Sequence, residues 1–320
     1  MDVQQIVRGV LDGDARAVAR AISMVEDGAE GLPELIGGLY PSTGAAYTIG
    51  LTGSPGVGKS TLAAALVGAA RTRDLTVAVL AIDPTSPFTG GALLGDRLRM
   101  QSHATDPHVF IRSMASRGHL GGLALAAPEA IRVLEASGAD VVMIETVGVG
   151  QAEVEVARAA DTTLVVVAPG WGDAVQASKA GILEIADVFV VNKADRDGSA
   201  EAARDLQHML HMGPELEWTP PIVQTTATSG DGADDLWQAI EGHRKHLEGT
   251  GRLEERRRER LLREVEEMVL ARLRLRMSAT LEAGALEEMG EDLTARRIDP
   301  YRATDILLGK LSPTEENDAR

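Results

Sequence analysis

The sequence contains no cysteine, so disulfides and thiolate metal sites are excluded. Aromatic residues are scarce at 3 %, while hydrophobic residues reach 44 %. A core of ordinary size must therefore be built from Ala, Val, Leu and Ile. Positive charge is also short: 32 Lys and Arg stand against 48 Asp and Glu, for a formal net charge of −16. An acidic surface repels polyanions, which argues against nonspecific binding of nucleic acid or anionic lipid. No apolar run reaches membrane-spanning length, and the first residues carry no secretory pattern. The expectation is a soluble cytoplasmic protein with no nucleic-acid or membrane partner.

What is present divides into three parts. Residues 1–45 read as a helical extension, with Val3, Ile6, Val7 and Val10 on one face and Val18, Ile22 and Val25 on another. Gly37 to Gly44 reads as a linker. Residues 46–248 alternate apolar β-rich runs with helical patterns. The expected strands are Tyr47–Thr52, Thr76–Ile82, His108–Ser113, Asp140–Glu145, Thr162–Ala168, Val188–Asn192 and Ile222–Thr226. Such alternation predicts an α/β fold with a mostly parallel central sheet covered on both faces. Residues 249–320 open with a long charged helix from Arg252 to Met277 and continue as a shorter helical region.

The segment Gly53-Ser54-Pro55-Gly56-Val57-Gly58-Lys59-Ser60 lies between a strand and a helix and fits G-x-x-x-x-G-K-S. Its glycines let successive N–H groups turn toward phosphate oxygens. Lys59 brings positive charge to the β- and γ-phosphates, and the Ser60 hydroxyl can ligate Mg²⁺. The helix that begins with Lys59, Ser60 and Thr61 turns its positive N-terminal end toward the same anion.

Asn192-Lys193-Ala194-Asp195 follows the strand Val188–Val191 and fits N-K-x-D. A carboxylate at Asp195 can accept two hydrogen bonds from guanine's ring N–H and exocyclic amine. Adenine offers an acceptor there and would be rejected. Asn192 can brace the loop and reach toward guanine N7, and the Lys193 stem can lie over the ring. Thr226 and Ala227, after the next strand, could offer backbone N–H groups to guanine O6.

Three acids are candidates for the metal. Asp83 and Glu145 end strands, where ligands of open parallel sheets bind. Asp96 lies in the loop after Asp83. Each could instead cap a helix or face solvent at a turn. Gly148 permits close approach to the γ-phosphate, and the stretch from Thr146 to Gln151 could switch when that phosphate leaves. Lys59, Asp83, Glu145 and Gln151 form the candidate catalytic set, with Asp83 or Gln151 positioning the attacking water. Arg112 and Arg117 could assist or form surface ion pairs.

These segments together resemble the MeaB/ArgK (MMAA-type) family within the SIMIBI class of P-loop GTPases. The resemblance is carried by GSPGVGKST at 53–61, DPTSPFTGGALLGDRLRM at 83–100, ETVGVGQAE at 145–153 and GILEIADVFVVNKAD at 181–195. It also extends to GDARAVARAISMVE near the N-terminus and DPYRATDILL near the C-terminus. It implies Mg²⁺-dependent GTP hydrolysis by a chaperone of an adenosylcobalamin-dependent acyl-CoA mutase, gating cofactor loading and protecting or reactivating the mutase. It also implies a homodimer formed by the C-terminal helical arm. The family's third switch departs from its usual pattern here, reading Val175-Gln176-Ala177-Ser178-Lys179 within 169–179. The mutase could take methylmalonyl-CoA, isobutyryl-CoA, 2-hydroxyisobutyryl-CoA or another acyl-CoA. Two alternatives are a nickel-type metallochaperone, which would need imidazole ligands such as His208/His211 or His243/His246, and a kinase of a small molecule or protein.

Overall fold

The computed structural model describes residues 2–84, 103, 105–116, 123–146, 158–170, 184–213, 216–280 and 283–311. The described elements run α1 (Val3–Leu11), α2 (Ala15–Asp27), α3 (Leu32–Leu39), β1 (Tyr47–Thr52), α4 (Lys59–Arg71), β2 (Val77–Pro84) and β3 (Val109–Ser116). They continue as α5 (Leu123–Ala136), β4 (Val141–Thr146), β5 (Thr162–Val167), β6 (Val188–Asn192), α6 (Ser199–Met212), β7 (Ile222–Thr225) and α7 (Ala233–Gly249). The chain ends in α8 (Arg252–Thr280), α9 (Ala283–Thr294) and α10 (Pro300–Leu311).

All seven strands join one sheet in the order β3-β2-β4-β1-β5-β6-β7, and every pairing is parallel. Alternate residues of each strand feed opposite layers, because side chains alternate across a pleat. Ala78, Leu80, Ile82, Val142 and Ile144 pack under α5 and the three N-terminal helices. Ile49, Leu51, Val77, Val79, Leu164, Val166, Val188 and Val190 meet α4 and α7 on the other face. Phe189 and Val191 join Ala202 and Leu206 of α6 in a smaller cluster. The spatial order β4-β1-β5 places the phosphate-loop strand at the centre of the sheet, flanked on both sides.

The stretch from Gly37 to Gly44 is not the simple linker expected. Gly37 and Gly38 lie inside α3, and a short 3₁₀ turn follows at Tyr40–Ser42. Leu35 and Leu39, four apart, are both fully buried, and that burial outweighs the helix cost of two glycines.

The contact pattern separates two units, Met1–Leu262 and Arg263–Arg320. The three N-terminal helices share a core with α5 in the first unit. The first turns of α8 also belong to it. The second unit comprises the remainder of α8 with α9 and α10. Along its part of α8, Val265, Val269 and Leu273 are all at least half exposed at a spacing of four. Among the described residues no helix is long and apolar enough to cross a membrane.

Behind the sheet, at the start of β5 and β6, lies a buried polar chain. The Tyr47 hydroxyl meets Thr162 Oγ1 at 2.6 Å, and Thr162 Oγ1 meets His243 Nδ1 at 2.8 Å. His243 Nε2 lies 3.2 Å from Asp187 Oδ1. Trp218 covers the imidazole, with ring centroids 5.0 Å apart. Burial first, and the nearby Arg256 charge second, depress the His243 pKa to about 3. An unfolded chain takes up this proton near pH 6.5, whereas the folded chain refuses it until about pH 3. Stability contributed by neutral His243 is therefore complete above pH 6.5 and drains away as pH falls toward 3. At roughly 1.4 kcal/mol per pH unit the loss is on the order of 5 kcal/mol. His243→Gln is expected to flatten the decline of Tm between pH 7 and pH 4, read by thermal melts of both proteins. An unchanged decline would contradict the assignment.

Candidate active site

The phosphate loop is shaped by two glycines that no other residue could replace without rearrangement. Gly53 has φ +137°, and a Cβ there would sit 2.1 Å from the Val166 carbonyl oxygen. Gly58 has φ +98°, and its Cβ would come 2.5 Å from Asn192 Nδ2. The loop is thus pressed against β5 and β6 with no room for a side chain. Lys59 opens α4 and is buried; its Nζ donates to Gly53 O at 2.5 Å and Ser54 O at 3.2 Å. The ammonium therefore arches over the loop, at the place where a phosphate would meet it.

Ser60 follows on the first turn of α4, also buried. Its Oγ donates to Glu145 Oε1 at 2.6 Å. Glu145 stands near the end of β4 and is 1 % exposed. A hydroxyl and a carboxylate thus converge at the helix N-terminus beside the phosphate loop. Hard oxygen donors of this kind suit Mg²⁺, which binds through a few protein oxygens and completes its shell with water and phosphate. The donor set fits the ion.

Asp83 lies on β2, the neighbour of β4, where Ala81 pairs with Glu145 and Ile82 with Thr146. Its backbone is therefore just past Glu145's partner, at the same edge of the sheet; its side chain lies outside the described set. Asp96, Gly148, Gln151 and Arg117 also lie outside the described residues. Arg112 turns away from the site. Its guanidinium donates to Ser23 Oγ at 3.0 Å and Glu26 Oε2 at 3.1 Å, pinning β3 to α2.

Asn192 ends β6 and is buried. Its Nδ2 donates to Val57 O at 2.8 Å; its Oδ1 accepts from Thr225 Oγ1 and from the Ala227 N–H, both at 3.1 Å. One side chain thus ties the phosphate loop to both later strands. Lys193 adds a second tie, with φ +61° and Nζ donating to Gly56 O at 2.6 Å. Asp195 is exposed and makes no side-chain hydrogen bond to another described residue. The carboxylate expected to read the base is presented outward from a braced turn.

The roles expected for Thr226 and Ala227 need correction. The Thr226 N–H donates to Asp231 O at 2.9 Å, and the Ala227 N–H is taken by Asn192. Neither amide is open to guanine O6 in this arrangement. Sequence reading also missed Thr225, whose hydroxyl orients Asn192 from 33 residues away. A hydroxyl at a buried strand end was the only local signal.

The profile of the family described as "Methylmalonyl Co-A mutase-associated GTPase MeaB" matches residues 18–282. The chain belongs to the MeaB family. As a MeaB-family protein it is a P-loop GTPase. A Pyrococcus abyssi protein whose name marks it as a GTPase by inference is 49 % identical over 313 residues, covering 97 % of each chain. GTPase ArgK of Escherichia coli is 37 % identical over 281 residues, covering 83 % of this chain and 85 % of that one. A protein of Caenorhabditis briggsae named methylmalonic aciduria type A homolog, mitochondrial, is 35 % identical over 280 residues, covering 81 % of this chain and 68 % of its own. Among solved structures, that of a LAO/AO transport system kinase superposes with TM-score 0.70 at 28 % identity, over 96 % of each chain. The MeaB family, the parallel sheet and the SIMIBI type of phosphate loop agree with one another.

Proposed function

We propose that this MeaB-family GTPase is a Mg²⁺-dependent G-protein chaperone of an adenosylcobalamin-dependent acyl-CoA mutase. In this reading it gates cofactor loading and protects or reactivates the mutase. The observation that carries it is the family match over 18–282, whose description names association with methylmalonyl-CoA mutase. The name of the Caenorhabditis relative supports the same connection.

Each residue has a part in the hydrolysis. Loop amides of Gly53 to Ser60 and the Lys59 ammonium hold the phosphates. Ser60 and Glu145, with Asp83 and Asp96, would hold Mg²⁺, which supplies charge neutralisation at the phosphate oxygens when bound. Asp195 selects guanine, while Asn192 and Lys193 keep its loop in register with the phosphate loop. Asp83 or Gln151 orients the water for in-line attack.

Glu145→Gln tests the metal assignment. It keeps the shape and the acceptor for Ser60 but removes the charge. The Mg²⁺ concentration for half-maximal turnover should rise about tenfold or more, with little change in Tm. An unchanged Mg²⁺ requirement would remove Glu145 from the site. The mutase assignment is tested by co-purification with candidate mutases and by GTP turnover in their presence. Acceleration by one mutase supports the chaperone reading; no binding to any acyl-CoA mutase would overturn it. The superposing structure carries the name of a kinase, which gives a second outcome, since transfer of γ-phosphate to anything but water would favour that activity.

We also assign the second unit as the arm of a homodimer. The exposed stripe Val265, Val269 and Leu273 supports a helix-to-helix contact between copies. The organisation then reads as an N-terminal helical extension, a nucleotide domain and a dimerisation arm.

A further inference from the structure

Behind the sheet, opposite the nucleotide, three arginines of the first turns of α8 grip two buried aspartates. Asp161, 1 % exposed at its side chain, receives Arg257 Nη2 at 2.5 Å, Arg257 Nε at 3.1 Å, Arg260 Nη2 at 2.6 Å and the Thr48 N–H at 3.0 Å. Burial alone would raise its pKa, but the two guanidiniums outweigh burial and hold the carboxyl below the usual range. Asp187 receives Arg256 at 3.1 Å and the Thr163 N–H at 2.9 Å. Arg257 also donates to the carbonyls of Gly44 and Ala46, and Arg260 to that of Ala159. The positions 256, 257 and 260 fall on one face of a helix.

The placement of these aspartates matters. Asp161 immediately precedes β5 and Asp187 immediately precedes β6. The far end of β5 supplies the Val166 carbonyl that seats Gly53, and the far end of β6 supplies Asn192. The same two strands thus hold the nucleotide loops at one end and α8 at the other, over about 20 Å. Buried parallel strands at close packing pass displacement along their length with little loss. In chain order the stretch after Glu145 returns at Ala159–Asp161, and the stretch after Gly170 returns at Asp187. Helix α8 itself continues past Leu262 into the second unit.

We propose that the Arg256–Arg257–Arg260 clamp on Asp161 and Asp187 is the joint that couples guanine-nucleotide state to helix α8. The inference rests on the nucleotide site described above. The clamp positions α8 against the two strands; it touches no substrate. Binding linkage is reciprocal, so a clamp that responds to the nucleotide must also bias which nucleotide is held. A clamp that merely docks the helix would affect stability and leave that bias alone.

The test compares equilibrium affinities for GDP and for a non-hydrolysable GTP analogue, both with Mg²⁺, in the full chain and in Arg257→Gln and Arg260→Gln. Arg256→Gln, at the most exposed of the three positions, serves as the mildest variant should the others fail to fold. The expected result is a change of about fivefold or more in the ratio of the two affinities, the lower range of allosteric coupling. Hydrogen exchange across 252–262, different between GDP and GTP-analogue complexes in the parent protein, should lose that difference in the variants. An affinity ratio within twofold of the parent in every folded variant, with only Tm lowered, would overturn the proposal. Failure of the parent to bind either nucleotide would overturn the site assignment itself, and the proposal with it, and is read separately.

Discussion

Lys59→Ala is expected to lower GTP hydrolysis by about two to three orders of magnitude while leaving Tm nearly unchanged. The magnitude follows from the loss of one preorganised positive contact to developing phosphate charge, worth about 3–4 kcal/mol in a site shielded from water. Shielding is present here, since Lys59 is 6 % exposed at the start of α4. Its ammonium donates to carbonyls of its own loop, Gly53 and Ser54, so these bonds tie the lysine to the loop rather than one element to another. The backbone of the loop is fixed by other means: the close seat of Gly53 on Val166 and the bond from Asn192 to Val57. Nucleotide binding should therefore weaken less than turnover. Steady-state phosphate release and a thermal melt decide the matter. Normal turnover in a folded variant would remove Lys59 from the mechanism.

Asp195→Asn should reverse the preference for the base. Guanine loses a charge-assisted bidentate acceptor, and a new amide donor faces its exocyclic amine. A fall of about 10²–10³ in GTP affinity is expected, at roughly 3–4 kcal/mol for the lost pair and the mismatch. Xanthine carries a carbonyl where guanine carries the amine, so XTP should bind the variant better than GTP. Stability should stay within about 0.5 kcal/mol, because Asp195 is exposed and bonded to no other described side chain. Competition titrations of GTP and XTP against both proteins give the answer. Unchanged GTP affinity would show that another group reads the base.

The seven strands were legible because most are short runs rich in β-branched and aliphatic residues bounded by polar ends, and β1, β5 and β6 are buried along their full length. The phosphate loop was legible because its residue types are dictated by backbone shape at Gly53 and Gly58. Other features were not local. Gly37 and Gly38 look like helix breakers until Leu35 and Leu39 find a core to enter. The amides of Thr226 and Ala227 look available until the Asp231 turn and Asn192, 35 residues before Ala227, take them. Arg256, Arg257 and Arg260 lie in a segment that the sequence marks only as a long charged helix. Their aspartates lie 69 to 99 residues earlier, and nothing in the spacing announces the match.

The order of the strands has a consequence for synthesis on the ribosome. Strand β1 cannot be flanked until β4 and β5 exist, since its neighbours are Val141–Glu145 on one side and Thr162–Val165 on the other. The loop that follows β1 needs the Val166 carbonyl under Gly53 and the Asn192 amide on Val57 before its shape is held. Contacts so distant in the chain form late, because loop closure must precede them. The segment near residue 55 that announces a nucleotide enzyme must therefore wait for more than 130 later residues to emerge before it can grip one.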